Sequence, residues 1–136
     1  MAVTQLRISE AAVFLGVSDD TVRRLVERGE LEAGTGSEGP QTVDGASLAA
    51  LAVERAKGAP DQSPVLSSAR NHFTGIVTKV EIDGVMAQID LQAGPYRVVS
   101  LISAEAAREL GLEVGSVASA VVKATNVSIE TIGGPR

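Results

Sequence analysis

The chain reads as an α+β protein with a helical front and a β-rich rear. Three observations predict this. Ala and Leu crowd residues 5–56, whereas Val and Ile crowd residues 76–129; the first pair favours helix and the second favours strand. Apolar positions recur at i, i+3 and i+4 in the front and alternate in the rear. Between them, "KGAPDQSPVLSS" (Lys57–Ser68) gathers Gly, two Pro, Asp, Gln and three Ser in twelve residues, which is linker composition. The sequence therefore predicts a front domain over 1–57, a linker over 58–66 and a rear domain over 67–132. A length of 136 residues suits one modest domain or two very small ones, and the linker favours two. The closing "GGPR" is expected to fray.

The front is predicted to run helix, turn, helix, loop, helix. Ser9 is placed to cap a first helix over Glu10–Leu15, with Ala11, Ala12, Phe14 and Leu15 apolar. Gly16-Val17 makes the turn. Ser18 caps a second helix over Asp19–Arg28, with Thr21 three residues on as a weak stand-in for the Glu of a capping box. Asp19 and Asp20 sit favourably at that helix's positive end. Val22, Leu25 and Val26 form its buried stripe, and Gly29 stops it. Leu31–Val43 is Gly-rich with short flanks, as in a small hairpin or wing. Asp44 or Ser47 then starts a third helix through Lys57, with Leu48, Leu51 and Ala52 inward.

The rear alternates. Ile76, Lys79 or Val80, and Ile82 lead to a turn at Asp83-Gly84, and Val85, Ala87, Ile89 and Leu91 follow it. Asp-Gly between two alternating runs is a strong hairpin signal. Ala93–Pro95 makes another turn and Tyr96–Ile102 a third strand. "SAEAARELGL" is a short helix capped by Ser103 and ended by Gly111. "GSVASAVVKATNVSIETI" supplies one or two final strands. Five strands and one helix predict a small, partly open barrel of the OB type behind an all-α winged helix-turn-helix.

Composition excludes several chemistries. The chain has no cysteine and one histidine, which removes disulfides, thiolate metal sites, cysteine nucleophiles and any multi-histidine site within one chain. No run approaches the roughly 18 apolar residues of a membrane span, and no basic-then-apolar segment opens the chain. A cytoplasmic protein with no membrane partner is the expectation. No nucleophile–base pair, cluster for a free metal cation or phosphate loop can be assembled, since "GTGSEG" lacks the Lys and following helix of a P-loop. An enzyme is not expected. The net charge of −5 requires any nucleic-acid contact to come from a local cluster.

Two constellations remain. The front motif "RISEAAVFLGVSDDTVRRLVERGEL" resembles the helix-turn-helix of the MerR and excisionase families through Ile8, Glu10, Ala11, Ala12, Leu15, Gly16, Val17, Ser18, Thr21, Val22, Arg23 and Arg24. The resemblance implies double-stranded DNA as partner, with the second helix entering the major groove. Ser18, Asp20, Thr21, Arg23 and Arg24 would face outward there, and Arg28 would lie nearer the backbone. The wing departs from those families: "EAGTGSEGPQTVDG" has three acids and no base. Residues 1–57 hold six Lys/Arg against nine Asp/Glu, a balance of −3. Phosphate neutralisation supplies most non-specific DNA affinity, so a single copy should bind weakly.

The rear resembles the Mop (molbindin, or TOBE-type) domain along nearly its whole length, through "SARN" with the following "GIV", "LIS" before a helix, "LGLEVGS" and the closing "VVKATNVSI". That family binds molybdate and sometimes tungstate, and its domains work in pairs. Molybdate is a tetrahedral dianion whose oxygens only accept hydrogen bonds at neutral pH. A selective site needs donors on all sides and no carboxylate. Arg70 offers a guanidinium fork, Lys123 an ammonium, and Ser68, Ser103 and Thr125 hydroxyls. Ser103 also opens a helix, where unpaired backbone N–H groups favour an anion. Hydrogen phosphate keeps a proton that such a pocket leaves unpartnered. By resemblance the site comprises Ser68, Arg70, Ser103 and Lys123, with Ala124 and Thr125 acting mainly through the main chain. The resemblance also implies self-association, at least a dimer, with hexamers among the family's assemblies. Asn71 and His72 are expected to serve structure. Two function classes fit: a molybdate-responsive DNA-binding transcriptional regulator, or a molybdate storage and buffering protein whose front domain serves assembly or docking.

Overall fold

The computed structural model describes residues 4–35, 39–56 and 66–131. The chain divides into two compact units, Met1–Lys57 and Gly58–Arg136. Most of the expected linker and the GGPR tail lie outside the described residues.

In the first unit β1 (Gln5–Arg7) leads straight into α1 (Ile8–Leu15). Ser9 therefore does not cap α1. Arg7 holds the N-cap position in extended conformation, and its N–H donates to Glu10 Oε1 at 3.0 Å. The earlier start follows from burial: at about 100° per residue, Ile8 shares a face with Ala11 and Ala12, and all three are buried. Phe14, apolar as it is, falls well to the side of that face and is 68% exposed. Gly16 then takes a left-handed φ of 68°, and its N–H donates to Val13 O.

The next helix, α2 (Asp19–Glu27), is capped by Ser18 as expected, with Thr21 N–H donating to Ser18 Oγ at 3.2 Å. Val22 and Leu25 are fully buried, and Val26 packs at their edge. Leu31 and Val43, read from sequence as loop flanks, are core residues. Removing each such side chain from water contributes about 1.5–3 kcal/mol. Val43 sits in β2 (Thr42–Asp44), which pairs antiparallel with β1 and bridges to Ala33 on its other side. The described part of the wing is thus a short ladder, closed by Gly34 N–H to Thr42 O and Asp44 N–H to Glu32 O. Of the two expected starts for α3 (Gly45–Arg55), Asp44 is the cap, its Oδ2 accepting from Ser47 N–H at 2.9 Å. Ser47 instead ties the wing to α3, its Oγ accepting from Glu32 N–H. Leu48 and Leu51 are buried and Ala52 is half-buried. Lys57, the expected end of α3, lies outside the described residues.

The second unit is one curled antiparallel sheet with a short helix. Its strands are β3 (Asn71–Asp83), β4 (Met86–Ala93), β5 (Tyr96–Ser103) and β6 (Val117–Val122), in the order β5-β4-β3-β6. Among its described residues this unit has four strands, not five. Residues 127–131 form no strand, and Ile129 stands exposed. The long β3 does the work of two strands, since Asn71–Ile76 pair with β6 and Ile76–Asp83 with β4. A bulge between Val77 and Lys79 separates the two stretches. It shifts the alternation by one residue, so Val77 and Val80 turn inward and Ile76 turns outward, 53% exposed. At the crossing, a Cβ on Gly75 would collide with the backbone carbonyl of Gln92, so only glycine fits there.

The turns at Gly84 and Gly94 have positive φ and join strands through two-residue loops. The helix α4 (Ala104–Glu109) is capped by Ser103, and Gly111 ends it with φ of 64°. Edge strands β5 and β6 both feed one core with Val77, Ala87, Ile89, Leu91 and Ala107, which is what curls the sheet. The curl stops short of closure. An apolar cleft of about 290 Å³ remains between β5 and β6, lined by Leu91, Val98, Ile102, Leu112, Ala120 and Val122 among others. No helix among the described residues is long and apolar enough to cross a membrane.

Candidate functional site

The sheet register brings two of the expected donors together. Asn71 of β3 faces Val122 of β6, so Arg70 and Lys123, one residue beyond that pair, leave the same end of the sheet side by side. Three local contacts pin the turn before β3. His72 Nε2 lies 3.1 Å from Ala69 O, Ala69 N–H donates to Ser67 Oγ at 3.1 Å, and Asn71 Nδ2 donates to Val122 O at 3.1 Å. Both Asn71 and His72 thus serve structure. Ala69 is buried, and its methyl acts as a peg that turns its neighbours Ser68 and Arg70 out to solvent.

Lys123 is the residue before a short 3₁₀ turn (Ala124–Asn126), in which Asn126 N–H donates to Lys123 O at 2.9 Å. Ala124 and Thr125 open that turn, where backbone N–H groups have no acceptor within the turn itself. Among the described residues neither Arg70 nor Lys123 forms an ion pair with a carboxylate; the three ion pairs are Arg23–Asp20, Lys79–Glu81 and Arg97–Asp90.

Ser103 lies elsewhere. It ends β5 opposite Met86, and Met86 in turn faces Asp83, the far end of β3 from Arg70. Along β3 that separation is 12 residue steps, a path of about 40 Å for an extended strand. The amides near Ser103 are also less available than the helix start implies. Ala104 N–H donates to Val85 O at 2.8 Å, and Ala106 N–H donates to Ser103 Oγ at 3.0 Å. That corrects the expectation of a row of unengaged amides. Glu105 N–H and the hydroxyl proton of Ser103 are what remain.

On the front unit the exposed face of α2 carries Asp20, Arg23 and Arg24, and the residue after the helix is the exposed Arg28. Part of this set is already engaged. Ser18 Oγ serves as the cap and lies 3.0 Å from Thr21 Oγ1, and Arg23 Nη1 pairs with Asp20 Oδ1 at 3.1 Å.

A carboxylate unremarked in the sequence proves to be the one buried charged residue among the described residues, Asp90 at 6% exposure. Sitting between Ile89 and Leu91, its place in the alternation predicts an outward side chain, and its cover comes from neighbours on that outer face. Gln88 Nε2 donates to Oδ1 at 3.0 Å, and Arg97 reaches Oδ2 through Nε at 2.9 Å and Nη2 at 2.8 Å. The Gln88 hydrogen bond, then that of Arg97, holds its carboxyl below the usual aspartate range against the opposing effect of burial. Among the described residues no group of three or more His, Asp or Glu is arranged to hold a metal ion.

Comparison with known proteins fits both constellations. The TOBE domain pattern matches residues 67–129, and a helix-turn-helix domain pattern matches residues 6–48. A probable molybdenum-pterin-binding protein of Haemophilus influenzae is 41% identical over 63 residues, which are 46% of this chain and 91% of that protein. The chain belongs to the TOBE-domain family. Molybdenum-pterin-binding protein 2 of Clostridium pasteurianum is 40% identical over 63 residues, covering 46% of this chain and 93% of that one. The solved MopII structure from the same organism aligns with a TM-score of 0.46 and 37% identity, over 48% of this chain and all of that one. The TOBE match, residues 67–129, contains Arg70, Ser103 and Lys123; the helix-turn-helix match is separate.

Proposed function

We propose that the chain binds molybdate at sites shared between two copies of its rear domain, 67–132, and that its front domain, 1–57, binds double-stranded DNA. Together these make it a molybdate-responsive transcriptional regulator of the cytoplasm. The observation that carries the reading is the separation of Ser103 from Arg70 and Lys123 along β3. A chain that gathers Arg70, Lys123 and the Ala124–Thr125 amides at one end and Ser103 at the other has two partial sites. A second copy supplies the missing half of each. The relatives' names favour a molybdenum ligand, and a set of donors without a carboxylate suits the proton-free oxoanion. Tungstate has the same charge and shape and belongs to the same ligand class. Ligand bound between copies would couple assembly to the number of front domains presented together, which raises avidity for paired half-sites.

Native mass spectrometry with and without molybdate tests this. Assemblies of two or more chains carrying molybdate are expected. A monomer that binds the ion at full stoichiometry would sink the shared site.

One observation favours the storage reading. The front unit has a balance of −3, and Arg23 of its recognition helix is held by Asp20. If the protein passes through heparin at low salt while carrying near-stoichiometric molybdenum, buffering replaces regulation as the function.

A further inference from the structure

The front unit has a second feature that the helix-turn-helix pattern does not assign. A cleft of about 300 Å³ lies between the start of α1, the start of α2 and the segment leading into β2. Among the described residues, Arg7, Ser9, Arg23 and Gln41 line it with donors, Asp19 is its one acidic residue, and Ile8 and Pro40 add to the wall. Arg7 is the decisive member. Its backbone is fixed, because its N–H is held by Glu10 and the residue is paired in β1 opposite Thr42. Its guanidinium is exposed and has no carboxylate partner among the described residues.

We propose that this cleft seats a backbone phosphate of duplex DNA, with Arg7 as its principal cation. The inference rests on the DNA-binding reading and adds to it a contact outside the recognition helix. A guanidinium fork matches two phosphate oxygens at once, and Ser9 and Gln41 can each donate one more hydrogen bond. The cleft opens beside the N-terminal end of α2, the end that enters the major groove in this motif, and phosphates flank that groove. Asp19 in the wall and Asp20 on Arg23 weaken the cleft's field, so the contact depends on Arg7 rather than on Arg23. Its role is positioning: a phosphate contact fixes register on the duplex and carries no base preference.

The test uses the full chain and fluorescence anisotropy with two duplexes of unrelated sequence over a salt series. Arg7→Gln should weaken both duplexes by the same factor and flatten the log–log salt slope by about 0.9, the loss of one phosphate contact. Arg7→Lys, which keeps the charge, should retain the slope. Both variants keep the backbone N–H that Glu10 accepts, and a melting curve checks the fold. If the wild type binds and Arg7→Gln leaves the slope unchanged, the phosphate seat is wrong while the DNA reading stands. A loss confined to one sequence would make Arg7 a base reader and also overturn it. Sodium phosphate competing better than chloride at equal ionic strength would mark a seat for the free anion instead. If the wild type binds neither duplex, both readings fall.

Discussion

The exposed polar groups of the two units differ in what they are already doing. On the front helix α2, Ser18 caps the helix, Thr21 contacts that cap, and Arg23 and Asp20 hold each other. At the end of β3 and β6, Arg70 and Lys123 are exposed with no carboxylate paired to them among the described residues, and the amides of Ala124 and Thr125 open a turn. The front groups answer local structural needs first. The rear groups are held in place by others, namely Ala69, Asn71 and His72, and among the described residues Arg70 and Lys123 form no ion pair. Hydrogen-bond capacity left over after folding is the better guide to a ligand site than residue type alone. Engaged groups should therefore report on stability, and unengaged ones on binding.

The largest effect is expected at the unengaged pair. Arg70→Ala and Lys123→Ala should each lower molybdate affinity by about 10- to 150-fold, since losing one charge-assisted partner costs about 1.5–3 kcal/mol. Their melting temperatures should stay at the wild-type value. Titration calorimetry beside thermal melts checks both, and a variant that binds normally but melts early would reverse the contrast. A smaller effect belongs to the engaged front. Ser18→Ala removes the cap that Thr21 N–H uses and should cost about 1 kcal/mol of stability, read from denaturant unfolding, with molybdate affinity untouched.

The smallest effect tests an engaged group within the rear. Asp90 has its proton affinity lowered on folding. Its stabilisation is therefore complete above the unfolded aspartate value, about 3.9, and is lost as pH falls through the lower folded value. The wild type should melt above Asp90→Asn at neutral pH, and the gap should close as the buffer is taken below that value. A gap that stays constant into acid would mean that the Gln88 and Arg97 contacts contribute nothing through charge.

Much of this was legible in the chain. Ser18 and Ser103 cap their helices, and Gly16, Gly29, Gly84, Gly94 and Gly111 take the left-handed φ their turns require. These are local signals, decided within four residues. What the sequence hid is decided across strands. Ile76 points outward because of a bulge two residues on. Arg7 rather than Ser9 precedes α1 because β1 runs into the helix. Asp90 is covered by Gln88 and Arg97 on its own face, which alternation alone cannot reveal. The DNA side left Arg7 and Gln41 unread for the same reason, since they share a cleft only once β1 and β2 pair. The anion side was more readable, because "SARN" and "VVKAT" flank the β3–β6 ladder at its end.

The interruption between Val77 and Lys79 has a mechanical consequence. It divides one long strand into two rulers that are read independently. The spacing of Arg70 from Lys123 is measured along the β6 side alone, so the hairpin beyond the interruption can be lengthened by a residue pair without moving those two cations. Ser103 rides on the other ruler and would travel with the insertion. A graded series of such insertions would stretch the distance a second copy must span, leaving the basic corner as it was.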